Sequence, residues 1–282
     1  MISKTTRLFA AAITISAFGL TACSSNHSDA ASSSLEQIKK NDVIRIGVFA
    51  DNPPFGYVDS QGKNQGFDIA LSKRVAKDLL GDETKIEYVV TEAANRVEFL
   101  KSDKVDIVFA SFSVTPERQQ VVDFAEPYLK ASLGITSSKK HPITSIEQLE
   151  NRTLIVNKGS SSDSYFTKNY PKIKLLKFEQ NTDAFNALKD GRGDAISQDS
   201  TYALAWAAAN PGFVVGIPQI GNEDFIAPAV KKGNVELLNW LNKEIKQLRD
   251  RGEITQIYDE TLKPIYGDTV DSKIFLDVQT KH

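Results

Sequence analysis

The residues with most to offer chemically lie in one run, Phe109-Ala110-Ser111-Phe112-Ser113-Val114-Thr115-Pro116-Glu117-Arg118. A short apolar strand over residues 105–110 gives way to small hydroxyl side chains, and Thr115-Pro116-Glu117 reads as a helix start with Thr115 as its cap. Arg118 then falls in the first helical turn, where the helix dipole opposes a cation. A guanidinium fork that grips a carboxylate through two hydrogen bonds would explain that placement; an ordinary surface arginine is the other reading. Catalytic signatures are missing: there is no G-x-S-x-G, no P-loop and no dinucleotide fingerprint. The histidines His27, His141 and His282 have no metal-ligand spacing, so neither a metal nor a cofactor is expected. Arg192-Gly193-Asp194 spells an adhesion tripeptide, but its place between a helical and a strand pattern points to turn chemistry instead.

These candidates need an α/β framework to hold them, and strand-like and helix-like patterns do alternate along the chain. Residues 43–48 read as an opening strand. Phe67, Leu71, Val75 and Leu79 share one helical face that Gly81 is placed to end. Toward the C-terminus, Leu238, Leu241, Ile245 and Leu248 mark one packing helix, and residues 254–262 a second, with Arg251-Gly252 between them. A partial repeat ties the two halves together: Leu100-Lys101-Ser102-Asp103-Lys104-Val105-Asp106 lines up with Leu188-Lys189-Asp190-Gly191-Arg192-Gly193-Asp194. Each copy follows a helical pattern and leads into a strand. The same offset sets Ser111 opposite Asp199, each just past the carboxyl end of its strand, where open α/β sheets bind ligands. Two such sheets facing one another predict a two-lobed clamp.

The N-terminus has the order of an export signal: Lys4 and Arg7, an apolar stretch over residues 8–20, then Leu20-Thr21-Ala22-Cys23, which resembles a lipobox. Cys23 is the only cysteine and the expected lipidation site. The apolar stretch is short for a spanning helix, which takes about 20 residues. Residues 1–22 are therefore expected to be a signal peptide and residues 23–36, rich in serine, a flexible tether. The full chain carries a formal net charge of −2. Losing Lys4 and Arg7 makes the balance more acidic, and with no basic block nucleic acid is excluded as a partner.

From about Leu35 to Asp268 the chain resembles the family 3 solute-binding proteins of ABC importers for polar amino acids. The resemblance is carried by Ile44-Arg45-Ile46-Gly47-Val48, Pro54-Phe55-Gly56, Gly66-Phe67-Asp68-Ile69, Val105-Asp106-Ile107, Thr115-Pro116-Glu117-Arg118 and Asp123-Phe124-Ala125-Glu126-Pro127-Tyr128, in that order. In detail it looks most like the cysteine-binding lipoproteins of that family, through Asn52-Pro53-Pro54-Phe55-Gly56-Tyr57, the run Glu92 to Leu100, and Ile226-Ala227-Pro228-Ala229. It implies a type II periplasmic-binding-protein fold with two hinge crossings and the ligand in the interlobe cleft. Lobe 1 would comprise residues 37–134 plus 221–275, and lobe 2 residues 135–220.

Carried over by position, Arg118 would hold the ligand α-carboxylate, helped by Ser113 and a backbone N–H near Ser160 and Ser161. Asp199 would accept the α-ammonium with the Ser111 hydroxyl and the Ala110 carbonyl. Many relatives place an aromatic where Asn52 stands, so Phe49, Phe55 or Tyr57 is expected to wall the side-chain pocket. Arg96 matches the arginine that acidic-amino-acid binders use for a side-chain carboxylate; it is expected either to pair with an acid such as Glu92 or to meet a second anionic group on the ligand. The resemblance implies an amino-acid ligand, cysteine or cystine first and aspartate, glutamate or glutamine as the alternative. It further implies an ABC permease as partner, a monomer, and a lipid-anchored position facing the periplasm or cell exterior. A dehydratase-type enzyme on the same scaffold and a surface adhesin are the competing readings.

Overall fold

A computed structural model describes residues 35–267 and 272–278 of the chain. The expected signal peptide, Cys23 and nearly all of the tether lie outside the described residues.

The first sheet begins after α1 (Leu35–Asn41) with β1 (Ile44–Val48), followed by the short strands β2 (Asp51–Asn52), β3 (Gly56–Val58) and β4 (Asn64–Gln65). Next come α2 (Phe67–Leu80), β5 (Ile86–Val90), α3 (Arg96–Lys101), β6 (Ile107–Val108), α4 (Pro116–Gln119) and β7 (Val122–Phe124). The long strand β8 (Leu129–Ser138) leads to β9 (Thr153–Asn157), α5 (Ser161–Asn169), β10 (Lys174–Phe178), α6 (Asn181–Lys189), β11 (Ala195–Asp199) and α7 (Ser200–Ala209). A second long strand, β12 (Phe213–Ile226), returns to β13 (Ala229–Lys231) and to the helices α8 (Val235–Asp250), α9 (Glu253–Thr261), α10 (Lys263–Tyr266) and α11 (Lys273–Leu276).

One five-stranded sheet has the order β5-β1-β6-β13-β7 and a second β10-β9-β11-β8-β12, the same plan twice, while β2-β3-β4 form a small sheet of their own. In each five-stranded sheet, two parallel pairs come first and antiparallel strands close the far side. The long strands β8 and β12 pair antiparallel from Leu129↔Ile226 to Phe213↔Ser138, with register shifts at Val215/Ile217, Ile217/Ile220 and Ile220/Asp224. They are the connection between the two sheets.

Local sequence accounts for the elements that frame the cleft. On α2, Phe67, Leu71 and Val75 are fully buried, and Gly81 ends the helix in the left-handed conformation with its N–H on the Lys77 carbonyl. Its start requires Gly66: at φ 111° a Cβ there would lie 2.3 Å from the Phe55 carbonyl oxygen. On α8 it is Leu237, with Leu241, Ile245 and Leu248, that is fully buried, while Leu238 is only half-buried. The core stripe is therefore wider than the one-face spacing predicts.

The sequence repeat is a structural one. Asp106 donates its N–H to the Arg45 carbonyl and accepts from the Arg45 N–H at 2.8 Å. Asp194 does the same with Thr153, also at 2.8 Å. Asp103 (φ 57°) and Gly191 (φ 71°) make the same left-handed turn before each strand. Asp194 thus spends its carboxylate on a strand edge and an ion pair with Arg152, as a structural turn requires.

Candidate functional site

The first-lobe wall is built on the turn after β6. Ser111 has φ 44°, an uncommon backbone for a residue with a Cβ, and the conformation is held by Asp68 in the first turn of α2. Asp68 Oδ2 accepts the Ser111 backbone N–H at 2.9 Å and its hydroxyl at 3.3 Å, while Oδ1 accepts the Tyr128 hydroxyl at 2.7 Å. Burial pushes the Asp68 carboxyl upward, and the Tyr128 and Ser111 donors work against that shift. Asp68 is a positioning residue to which the sequence reading gave no role. Its signal was there in Gly66-Phe67-Asp68, an acid at a buried helix start.

Two arginines converge beside this turn. Arg118 lies in α4, which Thr115 caps by accepting the Arg118 N–H at 3.2 Å, with Pro116 in the first turn. Its guanidinium donates to the Ser113 carbonyl at 2.8 Å and to the Gly159 carbonyl at 3.1 Å. Arg96 opens α3 and is only 3% exposed. It donates to the carbonyls of Ala93 (3.1 Å), Ala110 (3.0 Å), Ser111 (3.3 Å) and Gly159 (3.5 Å). The expected pairing with Glu92 is therefore corrected: Glu92 accepts from Asn95 instead, and main-chain carbonyls satisfy Arg96. Both guanidiniums lie over the ring of Phe112, at 4.3 Å for Arg96 and 4.8 Å for Arg118. Burial pushes Arg118 down to about 10, although Asp199 and Asp224 favour its charge; Arg96 is driven well down by burial and by the neighbouring cation.

The second-lobe wall joins a helix start to a strand end. Ser160 caps α5 by accepting the Asp163 N–H at 3.1 Å, and Asp163 in turn takes the Gly159 N–H at 3.0 Å. Ser161 opens the helix, within 3.3 Å of the Ser113 hydroxyl across the cleft. Asp199 ends β11 at the cap position of α7 but makes no side-chain cap bond. Its contact is with the Ser161 hydroxyl at 3.4 Å. Burial pushes Asp199 up to about 6, against the pull of Arg96 and Arg118. Deeper in, Gln198 donates to Asn157 and, at 3.2 Å, to Asn181.

The lobes are closed on each other. The Asp51 carboxylate accepts the Asn181 amide at 3.0 Å and the Thr182 N–H at 3.1 Å, at the start of α6, and Tyr202 donates to the Asp51 carbonyl at 3.3 Å. Gly159 (φ 73°) comes so near lobe 1 that a Cβ on it would lie 2.6 Å from Ala94 Cα. Between the walls is a small cavity of ≈ 20 Å³. Of the residues singled out by sequence, Phe49, Arg96, Ser111, Ser113, Ser160, Ser161 and Asp199 line it. Arg118 opens instead on an adjoining groove that also contains Ser161, and Ala110 turns its carbonyl to Arg96. Phe55 and Tyr57 are not part of the cavity wall. Phe55 is 2% exposed in the first-lobe core, and Tyr57 lies on β3, so of the three aromatics Phe49 alone reaches the cleft.

The model of the bacterial extracellular solute-binding proteins, family 3, matches residues 44–263. The chain belongs to that family. Among solved structures, this family 3 chain is 54% identical to the solute receptor for L-cysteine of Neisseria gonorrhoeae, with a TM-score of 0.85 over 86% of this chain and 99% of that one. The cysteine-binding protein of Campylobacter jejuni is also 54% identical, with a TM-score of 0.85 over 86% and 98% of the two chains. The ABC transporter glutamine-binding protein GlnH of Bacillus subtilis (strain 168) is 32% identical over 252 residues, 86% of this chain and 92% of that protein.

Family and relatives are transport binding proteins, so this family 3 protein is a binding protein and not an enzyme, and its place is extracellular or periplasmic. No described helix is long and apolar enough to cross a membrane. Among the described residues no three histidine, cysteine, aspartate or glutamate side chains are grouped to hold a metal ion.

Proposed function

We propose that this protein captures L-cysteine outside the cytoplasm and delivers it to the permease of an ABC importer. One observation carries the reading: the cleft sets a loosely held carboxylate, Asp199, near two guanidiniums, Arg96 in the cavity wall and the half-buried Arg118 on the adjoining groove, which is the charge layout of an α-amino acid. The 54% identity to receptors for L-cysteine supplies the side chain. In this reading Arg118 takes the ligand α-carboxylate with the Ser113 hydroxyl and the N–H groups at Ser160 and Ser161, where a helix start favours an anion. Asp199 accepts the α-ammonium, joined by Ser111 and by the second lone pair of the Ala110 carbonyl. Phe49 and Arg96 close the side-chain end.

Cysteine is preferred over cystine because the cavity is compact and a second amino-acid half would have to force the walls apart. The alternative is an acidic amino acid. It draws on one observation, that both guanidiniums are hydrogen-bonded to carbonyls and to no carboxylate. Those carbonyls supply Arg96 with acceptors in the absence of an acidic side chain, which weighs toward cysteine.

Binding bridges the lobes and so favours the closed clamp by its differential affinity for that state. Cys23 carries the lipid that keeps the receptor near its permease, and the receptor works as a monomer. Calorimetry with cysteine, cystine, aspartate, glutamate and glutamine tests the reading. Heat with cysteine at the lowest concentration is expected; a folded protein that gives none with any of the five would refute it.

A further inference from the structure

Asn52 ends β2 and lines the cavity, 4% exposed. The Ser111 hydroxyl lies within 3.3 Å of the Asp68 carboxylate, and a hydroxyl that donates there offers Asn52 its lone pairs. The group facing it, at 3.2 Å, is accordingly the donor Nδ2. Asn52 Oδ1 is left buried and without a hydrogen-bond partner among the described residues. The other amides around the cavity are engaged: Gln198 Nε2 with Asn157 and Asn181, and Asn181 Nδ2 with Asp51. A buried acceptor with no donor costs about as much as a lost hydrogen bond. The pocket therefore has an unmet acceptor, and a ligand that meets it must bring a donor.

We infer that Asn52 is a specificity-determining residue whose Oδ1 accepts a hydrogen bond from the ligand side chain, selecting small amino acids that carry an S–H or O–H. The carbonyl dipole repels a side-chain carboxylate and leaves a purely apolar side chain with an unsatisfied neighbour. This inference rests on the amino-acid reading above and names what that site recognises at its side-chain end. A serine or threonine donor meets the same acceptor, so the ordering among donors falls to size and to the Phe49 and Arg96 surfaces.

The test compares L-cysteine with L-2-aminobutyrate, which has the same outline with a methyl group in place of the thiol. Calorimetry on the wild-type protein is expected to give cysteine about a tenfold advantage, since a thiol is a weak donor and an unsatisfied buried acceptor is worth roughly 5- to 150-fold. In Asn52→Leu, which keeps the branching at Cγ and removes the acceptor, the ratio should fall to about one. Asn52→Ala is read in the same way if the leucine variant does not fold, because a ratio is insensitive to a general loss of affinity. An equal ratio in wild type and variant overturns the inference; Asn52 would then serve the ammonium, which both ligands share. Cysteine binding with an unchanged ratio sinks this inference alone, whereas no heat from either ligand or from cystine, aspartate, glutamate and glutamine sinks the functional reading beneath it.

Discussion

In the first lobe the charged groups of the cleft are tied to main chain: Arg96 to the carbonyls of Ala93, Ala110 and Ser111, and Arg118 to that of Ser113. In the second lobe Asp199 has a 3.4 Å hydroxyl contact and no capping duty, and burial holds its carboxyl up at about 6. The two walls grow from the same repeated helix-turn-strand plan, yet one is wired in advance and the other is left wanting a partner. In the proposed reading, lobe 1 presents a fixed cationic face that costs little reorganisation, and lobe 2 supplies the charge that an ammonium would relieve.

Removing the unsatisfied side of that contrast should have the largest effect. Asp199→Ala is expected to weaken amino-acid binding by about 3 kcal/mol, more than a hundredfold, as truncating one member of a buried charge pair does. Calorimetry checks this, and an affinity within threefold of wild type would remove Asp199 from the ammonium. The sign is opposite for the empty protein. The folded-state pKa of Asp199 is raised, so its ionised form burdens the fold above about pH 6 and the burden lifts as pH falls through that value. Asp199→Asn should therefore raise the melting temperature at pH 7 while losing the ligand.

Closure comes next. Gly159→Ala places a Cβ against Ala94 at a backbone φ of +73°, so the closed form should lose about 2 kcal/mol and affinity should drop roughly thirtyfold. Small-angle scattering at saturating ligand would report a larger radius if the clamp stays open; an unchanged radius and affinity would show that the contact yields without cost. A pH titration has a smaller range. With Asp199 as the proposed ammonium acceptor in its ionised form, affinity should be level above about pH 6 and fall by about tenfold per pH unit below it. A flat profile from pH 5 to 7 would break the link between the ammonium and this carboxylate. The smallest effect is expected for Asp51→Asn, which deletes a charge-assisted contact at the start of α6 far from Asp199 on the chain. It should cost about 1 kcal/mol, close to fivefold in affinity, with the Asn52-dependent preference untouched.

Much of the framework was legible because it rests on local chemistry. The Leu100 and Leu188 repeats showed the doubled plan, since Asp103 and Gly191 stand where a left-handed turn must fall and Asp106 and Asp194 where a strand edge needs an acceptor. Thr115 and Pro116 marked a helix start that the structure contains. What stayed hidden depends on partners distant in sequence or on the main chain itself. Carbonyls carry no side-chain signature, so the acceptors around Arg96 could not be read and Glu92 was offered in their place. Phe55 sits beside prolines as a cleft aromatic would, but its ring faces the core. Asp51 contacts a helix start 130 residues away, a separation at which no spacing rule operates.

The paired strands β8 and β12 carry one more consequence. Two ribbons hydrogen-bonded along their length resist sliding and swivelling, while the register breaks between Val215 and Asp224 leave places where they can flex out of plane. Opening of the clamp is expected to bend the ribbon at these breaks rather than slide its strands. A membrane partner that touched both outer faces would then read occupancy as a change of span.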